Sequence, residues 1–355
     1  MDISVCVARG ADGWQVAVRA EQLGFKTAWF EDSQMVAADP IALMAIAATH
    51  TSKINLATGV LIPSNRIAPQ TANSLATLNS LAPGRIIMGI GTGFSGRRAM
   101  GLGPVKVNDI RAYMETVTGL LRGEIVEWDF ENKHRKIAFL HREPDDDVIN
   151  LQDPVATYVA ASGPRMRQLV ADFKANWMSI LSTIDTARKD MGDMRATWES
   201  AGNAPNTFKS ALLTSGCPLY DGETAASPQA LRQGGPMAAV FYHNMIEAEQ
   251  YGSLVNSDGE APEALKQYRE MYMNYEPEDA RYLSLHRGHA LFVRDDEAPF
   301  ISPELISQAS LTAPIAELRE KVQELKRIGY DELAVITCPG DDDILERWVE
   351  VMAGV

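Results

Sequence analysis

The sequence predicts a (β/α)8 TIM barrel, eight parallel strands alternating with helices, with insertions after strands 4 and 7. Three observations carry this. Short apolar runs alternate with helical stretches along most of the chain, the pattern of a parallel sheet joined by right-handed crossovers. The runs are apolar on both faces and stop on polar turns, two of them glycine-containing: Thr58-Gly59-Val60 and Gly89-Ile90-Gly91-Thr92-Gly93. Buried parallel strands end this way. The 355 residues suit one α/β barrel of roughly 200–250 residues enlarged by insertions, so a single domain over 1–355 is expected.

Taken in order, residues 3–8 form the first apolar run, and Asp12 is placed to N-cap a helix over 13–23 that Gly24 ends. The second strand, 26–30, stops at Glu31-Asp32-Ser33-Gln34, and Asp39-Pro40 opens a helix to Thr49. Strand 54–61 is followed by helix 69–81, and strand 85–90 by helix 108–122. Residues 124–150 break the rhythm. There, Ile125 to Phe130 and Ile137 to Leu140 flank a polar turn over 131–135, read as a hairpin insertion, and Asp145-Asp146-Asp147 reads as a solvated loop.

The alternation resumes with strand 155–160, helix 164–173, strand 176–181, a long helix to about Glu199, and strand 208–214. It is lost over about 216–310, where helices are expected over 228–249, 262–275 and 280–293. Helix 315–328, stopped by Gly329, strand 332–337 and helix 342–352 close the chain. The competing fold is an open doubly wound sheet, because Gly91-Thr-Gly-Phe-Ser-Gly96 matches the dinucleotide fingerprint. That fingerprint belongs to the first strand of its unit and starts its helix at the third glycine. Here the strand is the fourth, and Gly101, Gly103 and Pro104 prolong the loop.

A formal charge of −14 repels nucleic-acid backbones and anionic bilayers, so small molecules are the expected partners. Cys6, Cys217 and Cys338 are odd in number and widely spaced, which indicates neither a disulfide framework nor a zinc motif. No signal-peptide pattern opens the chain and no long apolar run crosses a membrane. A cytoplasmic setting is therefore expected.

Several blocks, in order, carry a family resemblance. They are Gly24-Phe-Lys-Thr-Ala-Trp-Phe-Glu31-Asp32-Ser33-Gln34, Thr58-Gly59-Val60 with Pro63 and Arg66, and Ala76 to Arg85 with Gly89 to Gly93. Pro154 to Pro164, containing Ala160-Ala161-Ser162-Gly163, and Thr312-Ala-Pro with 315–329 complete the set. Together they resemble the bacterial luciferase-like monooxygenase superfamily, in particular its methylenetetrahydromethanopterin reductase-like branch. The likeness is good over 1–180 and 310–340 and thins over 215–300.

The resemblance implies a barrel that binds FMN or the deazaflavin coenzyme F420 at the carboxyl ends of the strands. It implies a bulge after the third strand, often with a non-proline cis peptide, backing the ring; Gly59-Val60 stands in that place, beside Thr58 and Ser33. Backbone amides at a helix start suit a phosphate, so Ala161, Ser162 and Gly163 are candidates, as is the turn Gly91, Thr92, Gly93. Trp177 and Ser179 depart from the Ala-Asp-Gly usual at the sixth strand, which puts the polar contacts there in question. Trp177 is carried as a ring contact. A homodimer through the early helices is the family expectation.

For proton transfer, Glu31 and Asp32 end a strand on the rim where barrel active sites lie, although both could simply pair with Arg66 or Arg85. His243, in the long seventh-unit helix, and His286 and His289, one helical turn apart, are the other candidates. No carboxylate at metal-ligand spacing accompanies the histidines, so no metal is expected. Tyr220, Met237, Phe241, Tyr242 and Met245 hint at an apolar or aromatic substrate or, equally, a plain core.

Three classes stay open. One is a monooxygenase using reduced FMN from a separate flavin reductase, with oxygen, on a small organic substrate. The second is a deazaflavin-dependent hydride-transfer oxidoreductase, and the third a non-catalytic flavin-binding barrel. The first is preferred, because many deazaflavin-dependent relatives place an Asp-x-His where this chain has Ser33-Gln34.

Overall fold

The computed structural model describes residues 1–146, 148–251, 263–341 and 343–355. Asp147 of the aspartate run, and the predicted helix starts at Pro262 and Asp342, lie outside the described residues. The barrel strands are β1 (Asp2–Val7), β2 (Thr27–Phe30), β3 (Asn55–Thr58), β4 (Ile86–Ile90), β5 (Ala156–Ala160), β6 (Asn176–Ile180), β7 (Ser210–Ser215) and β8 (Glu332–Thr337). They pair in parallel in chain order, and β8 returns to β1 in the register Asp2 opposite Glu332 through Val7 opposite Thr337. A closed ring excludes the open doubly wound sheet.

Side chains alternate between two faces along each strand. The inward set, including Cys6, Trp29, Ala57, Tyr158, Met178 and Ile336, fills the lumen. The outward set, including Val5, Phe30, Leu56, Met88, Val159 and Val335, packs against the surrounding helices. Trp29 and Tyr158 meet edge to face at 5.1 Å, and the Trp29 indole donates to Glu332 Oε1 at 2.8 Å, so the lumen is a packed core.

Helix ends follow local chemistry with two corrections. Asp39 caps helix Pro40–His50 as expected, its Oδ1 accepting from the amides of Ile41 and Ala42. Asp12 does not cap: helix Trp14–Gln22 starts after Gly13 with no side-chain cap, because Asp12 sits one residue before the N-cap position. After β4, where only loop was expected, Gly93 in the left-handed region (φ 81°) opens a five-residue helix, Phe94–Arg98.

Both insertions are present. The first is a hairpin, Val126–Phe130 against Lys133–Ile137. Its turn is only Glu131-Asn132, both at positive φ, the two-residue geometry that suits twisted hairpins, so its second strand starts earlier than the polar run suggested. The second insertion holds helix Pro228–Tyr251, helix Glu263–Met273, the short helix Tyr282–Leu285 and helix Pro303–Ala309. The helix expected over 280–293 stops after one turn, because Gly288 (φ 79°) and Ala290 (φ 59°) adopt left-handed backbone. No described helix is long and apolar enough to cross a membrane.

Candidate active site at the barrel mouth

The chain leaves β3 through a cis peptide between Gly59 and Val60. Gly59 N donates to Phe30 O at 2.7 Å, Leu61 N to Gly89 O at 2.8 Å and Gly91 N to Leu61 O at 3.0 Å, so the bulge is stitched to strands on both sides. A Cβ on Gly91 would stand 2.7 Å from Val60 Cγ2 and 3.2 Å from Ala160 Cβ; only a bare α-carbon lets Val60 sit there. Half-buried Val60 packs against the lumen core. The result is an apolar shelf, a cradle that a side chain at position 91 would disturb and that fits the face of a flat ring.

Glu31 follows directly on β2 at this mouth. Cys6 Sγ donates to its Oε1 at 3.6 Å and Ser33 Oγ to its Oε2 at 3.4 Å. Burial pushes its carboxyl up to about 7, against the opposing pull of those two hydrogen bonds. Burial and Glu31 together keep the Cys6 thiol protonated. A carboxyl balanced near neutrality beside an apolar shelf can take or give a proton at physiological pH. Cys6 was not anticipated; its inward place in β1, two residues beyond Ser4, was the available signal.

Asp32 is different. It is 3 % exposed, Arg66 Nη1 donates to both its oxygens at 3.0 Å, and Ile62 N donates to Oδ2 at 3.0 Å. Its charge holds the β2 and β3 loops together, the pairing with Arg66 that the sequence offered beside a catalytic role. Arg85 takes no part, since it donates to Thr51 and to the carbonyl of Ile54. Asp32→Asn keeps an acceptor for Ile62 but loses the ion pair, and should cost about 1–2 kcal/mol, checked by urea denaturation of both proteins.

The remaining predicted contacts divide. Ser162 and Gly163 stand exposed at the start of helix Pro164–Asp172, where amides can meet an anion. Ala161 does not join them, because its amide donates to Met178 O at 3.0 Å and its carbonyl accepts the Trp177 indole at 2.8 Å. Trp177 is fully buried in the outer core and stacks on Tyr330, so it braces β6 from behind and is no ring contact. Thr58 is likewise internal: its hydroxyl donates to Gly89 O and accepts from Gly89 N. Thr92 is half-buried and its carbonyl accepts from Val105 N, while Gly93 begins the short helix. The orphaned, buried hydroxyl of Ser215 lies at the carboxyl end of β7, a polar group that strand reading did not single out.

The three histidines converge, though not as one helical face. His243 lies in helix Pro228–Tyr251, His286 caps the short helix Tyr282–Leu285, and His289 follows in the turn. His243 Nδ1 is 2.9 Å and His286 Nδ1 3.2 Å from His289 Nδ1. Carboxylates do accompany them, contrary to expectation: Glu297 Oε1 is 2.6 Å from His243 Nε2 and Glu247 Oε1 2.9 Å from His286 Nε2. Of the suspected substrate residues, Tyr242 stacks on Tyr268 within the insertion's own core. Tyr220 donates to Glu350 under the Arg347 guanidinium, away from the shelf, and only Met237 packs against the lumen core. A cleft of about 780 Å³ between residues 63–68 and the hairpin touches none of the predicted cofactor contacts.

Relatives match by sequence over part of their length. An F420-dependent glucose-6-phosphate dehydrogenase of Beutenbergia cavernae is 34% identical over 165 residues, covering 43% of this chain and 47% of the relative. A 5,10-methylenetetrahydromethanopterin reductase of Methanolobus tindarius is 30% identical over 158 residues, covering 43% and 45%. The chain thus spans about half the length of these relatives. In fold, the coenzyme F420-dependent tetrahydromethanopterin reductase of Methanopyrus kandleri superposes with a TM-score of 0.70 at 19% identity, covering 99% of both chains. The oxygenating constituent of 3,6-diketocamphane monooxygenase from Pseudomonas putida, solved with FMN, gives 0.66 at 15% identity, covering 99% of this chain and 96% of that one. The family profile for luciferase-like monooxygenases matches residues 8–332, and with the closed barrel and its bulged mouth in place, the chain belongs to that family.

Proposed function

We propose that this protein is a coenzyme F420-dependent oxidoreductase that exchanges a hydride with a small organic substrate at the barrel mouth. The observation that carries the reading is Glu31, a carboxyl poised near neutrality beside the Val60 shelf. When bound, the deazaflavin would supply the hydride, and the chain has to supply orientation, a dry surface and one proton. Val60 and the cis bulge would back the ring, the amides of Ser162 and Gly163 would meet its phosphate, and Glu31 would hold or release the proton at its Oε atoms.

The sequence alone favoured oxygenation with reduced FMN, on the absence of an Asp-x-His. That argument weakens, because Gln34 donates to Gly96 O and accepts from Asn65, bracing rim loops instead of facing the shelf. Relatives that match over about half of the chain carry F420-dependent names, which supports the deazaflavin. A separate flavin reductase is not needed in this reading. The homodimer expectation stays with it and is read by light scattering.

The test titrates the purified chain with reduced F420 and reduced FMN in turn, then admits oxygen. Saturable binding of reduced F420 with slow oxygen uptake is expected. Rapid oxygen uptake with reduced FMN, and no binding of F420, would overturn the proposal in favour of oxygenation.

A further inference from the structure

The insertion between β7 and β8 buries three imidazoles against one another, and the use of their outer nitrogens fixes what their inner ones can do. His243, His286 and His289 are 2 %, 3 % and 4 % exposed. Glu297 Oε1, facing His243 Nε2, also accepts from Tyr268 OH at 2.6 Å and pairs with Arg294 at 3.1 Å. Glu247, facing His286 Nε2, pairs with Arg98 at 3.3 Å. Carboxylates so engaged only accept, so His243 and His286 carry their protons on Nε2 and point bare Nδ1 lone pairs inward.

His289 Nδ1 faces both lone pairs, and its Nε2 lies 2.9 Å from Ser95 Oγ. One proton on His289 Nδ1 can satisfy only one of the two nitrogens opposite, which leaves the other lone pair directed at nitrogen inside a buried cluster. Such an arrangement costs free energy unless something positive sits at the centre. Imidazoles whose outer N–H groups are held by carboxylates while their inner nitrogens converge are how proteins orient metal-binding histidines.

We propose that His243, His286 and His289 bind one borderline divalent cation, zinc by preference, through their three Nδ1 atoms. The ligand atoms all lie within 4.8 Å of one another. Zinc–nitrogen bonds of about 2.0–2.1 Å set tetrahedral nitrogens about 3.3–3.4 Å apart, so the 2.9 and 3.2 Å pairs would open by a few tenths of an ångström, and the His243–His286 pair, within 4.8 Å, would settle to the same spacing. Three neutral nitrogens and no inner oxygen select zinc, cobalt, nickel or copper over magnesium or calcium.

No proton need be lost on binding. The His289 proton moves from Nδ1 to Nε2, and the Ser95 hydroxyl turns from donor to acceptor. Glu247 and Glu297 supply negative charge behind the rings, partly offset by Arg98 and Arg294. The ion would pin helix Pro228–Tyr251 and the 286–290 turn to the short helix after β4, through Ser95. It would also set the Ala290 carbonyl, which accepts the Cys338 thiol at 3.6 Å, beside the end of β8. The three ligands are not among the shelf residues, and the site does not depend on the cofactor reading.

The full chain, stripped by a chelator and desalted after one equivalent of Co2+, should retain about one ion and show the visible absorption of four-coordinate cobalt, which Zn2+ abolishes. His289→Ala should lose both retention and spectrum, and Glu297→Gln should weaken affinity about ten- to a hundredfold. His134→Ala, at an exposed histidine, should change neither. X-ray absorption at the zinc edge of the wild-type chain, which needs no variant to fold, should give imidazole nitrogens at about 2.0–2.1 Å. A folded wild type that retains no ion, an oxygen-dominated zinc spectrum, or unchanged retention in His289→Ala would overturn the site.

Discussion

Glu31→Gln should lower the rate of hydride transfer by about a hundred- to a thousandfold, the share a positioned general acid or base contributes. It should also erase a limb of the pH–rate profile with an apparent pKa near 7, the value to which burial pushes this carboxyl. The amide keeps the shape and an acceptor for one of Cys6 and Ser33, and the Ser33 hydroxyl can turn to accept from its NH2, but it cannot exchange a proton. Cofactor affinity, measured by fluorescence titration, should stay within a few fold. An unchanged profile with full activity would remove Glu31 from the chemistry.

The same substitution has a signed effect on stability. The folded carboxyl titrates near 7 against 4.5 as the ordinary value, so the folded state favours the protonated form. Its contribution is fully present below pH 4.5, falls between about 4.5 and 7, and is gone above. Relative to Glu31→Gln, the wild type should therefore lose on the order of 2 kcal/mol across that window, less than the full shift implies because the side chain is only half-buried. Denaturation of the two proteins at pH 4.5 and pH 8 measures it.

Gly89→Ala should be among the most damaging single methyls in the barrel. A Cβ there would stand 2.1 Å from Thr58 O, 3.0 Å from Val60 Cγ1 and 3.2 Å from Trp29 Cζ3. The first neighbour is backbone, so β3 and β4 must separate, breaking both hydrogen bonds between the Thr58 hydroxyl and the Gly89 backbone. A cost of about 3 kcal/mol or more is expected, lowering the melting temperature by about 3–5 °C. Cofactor binding should fail with it, because Val60 moves. Gly163→Ala is the matched control: nothing lies within 4 Å of its added methyl, so stability should stay within about 0.5 kcal/mol, while any phosphate contact there is probed directly.

How much of this was legible in sequence depends on the range of the interaction. The eight strands and their order were readable, because burial on both faces and polar stops are local properties of each run. The place of Glu31 was readable for the same reason, directly after an apolar strand at the barrel mouth. Trp177 was misplaced because Trp177 and Met178 are both apolar, so nothing local says which faces the lumen. Asp32 was left ambiguous until Arg66, 34 residues on, was seen to take it. The histidine cluster was the least legible, since the contacts that define it span 46 residues from His243 to His289 and 194 from Ser95 to His289. The insertion that folds those residues together has no repeating period to betray its packing.

The Trp29, Tyr158 and Glu332 packing that fills the lumen has a kinetic consequence. Among the described residues the floor is sealed, so in the proposed reaction cofactor and substrate would both enter by the mouth and stack on one shelf. The one lying against Val60 has to arrive first and depart last, so steady-state rates should obey a compulsory order, with the organic substrate as the outer, exchangeable partner.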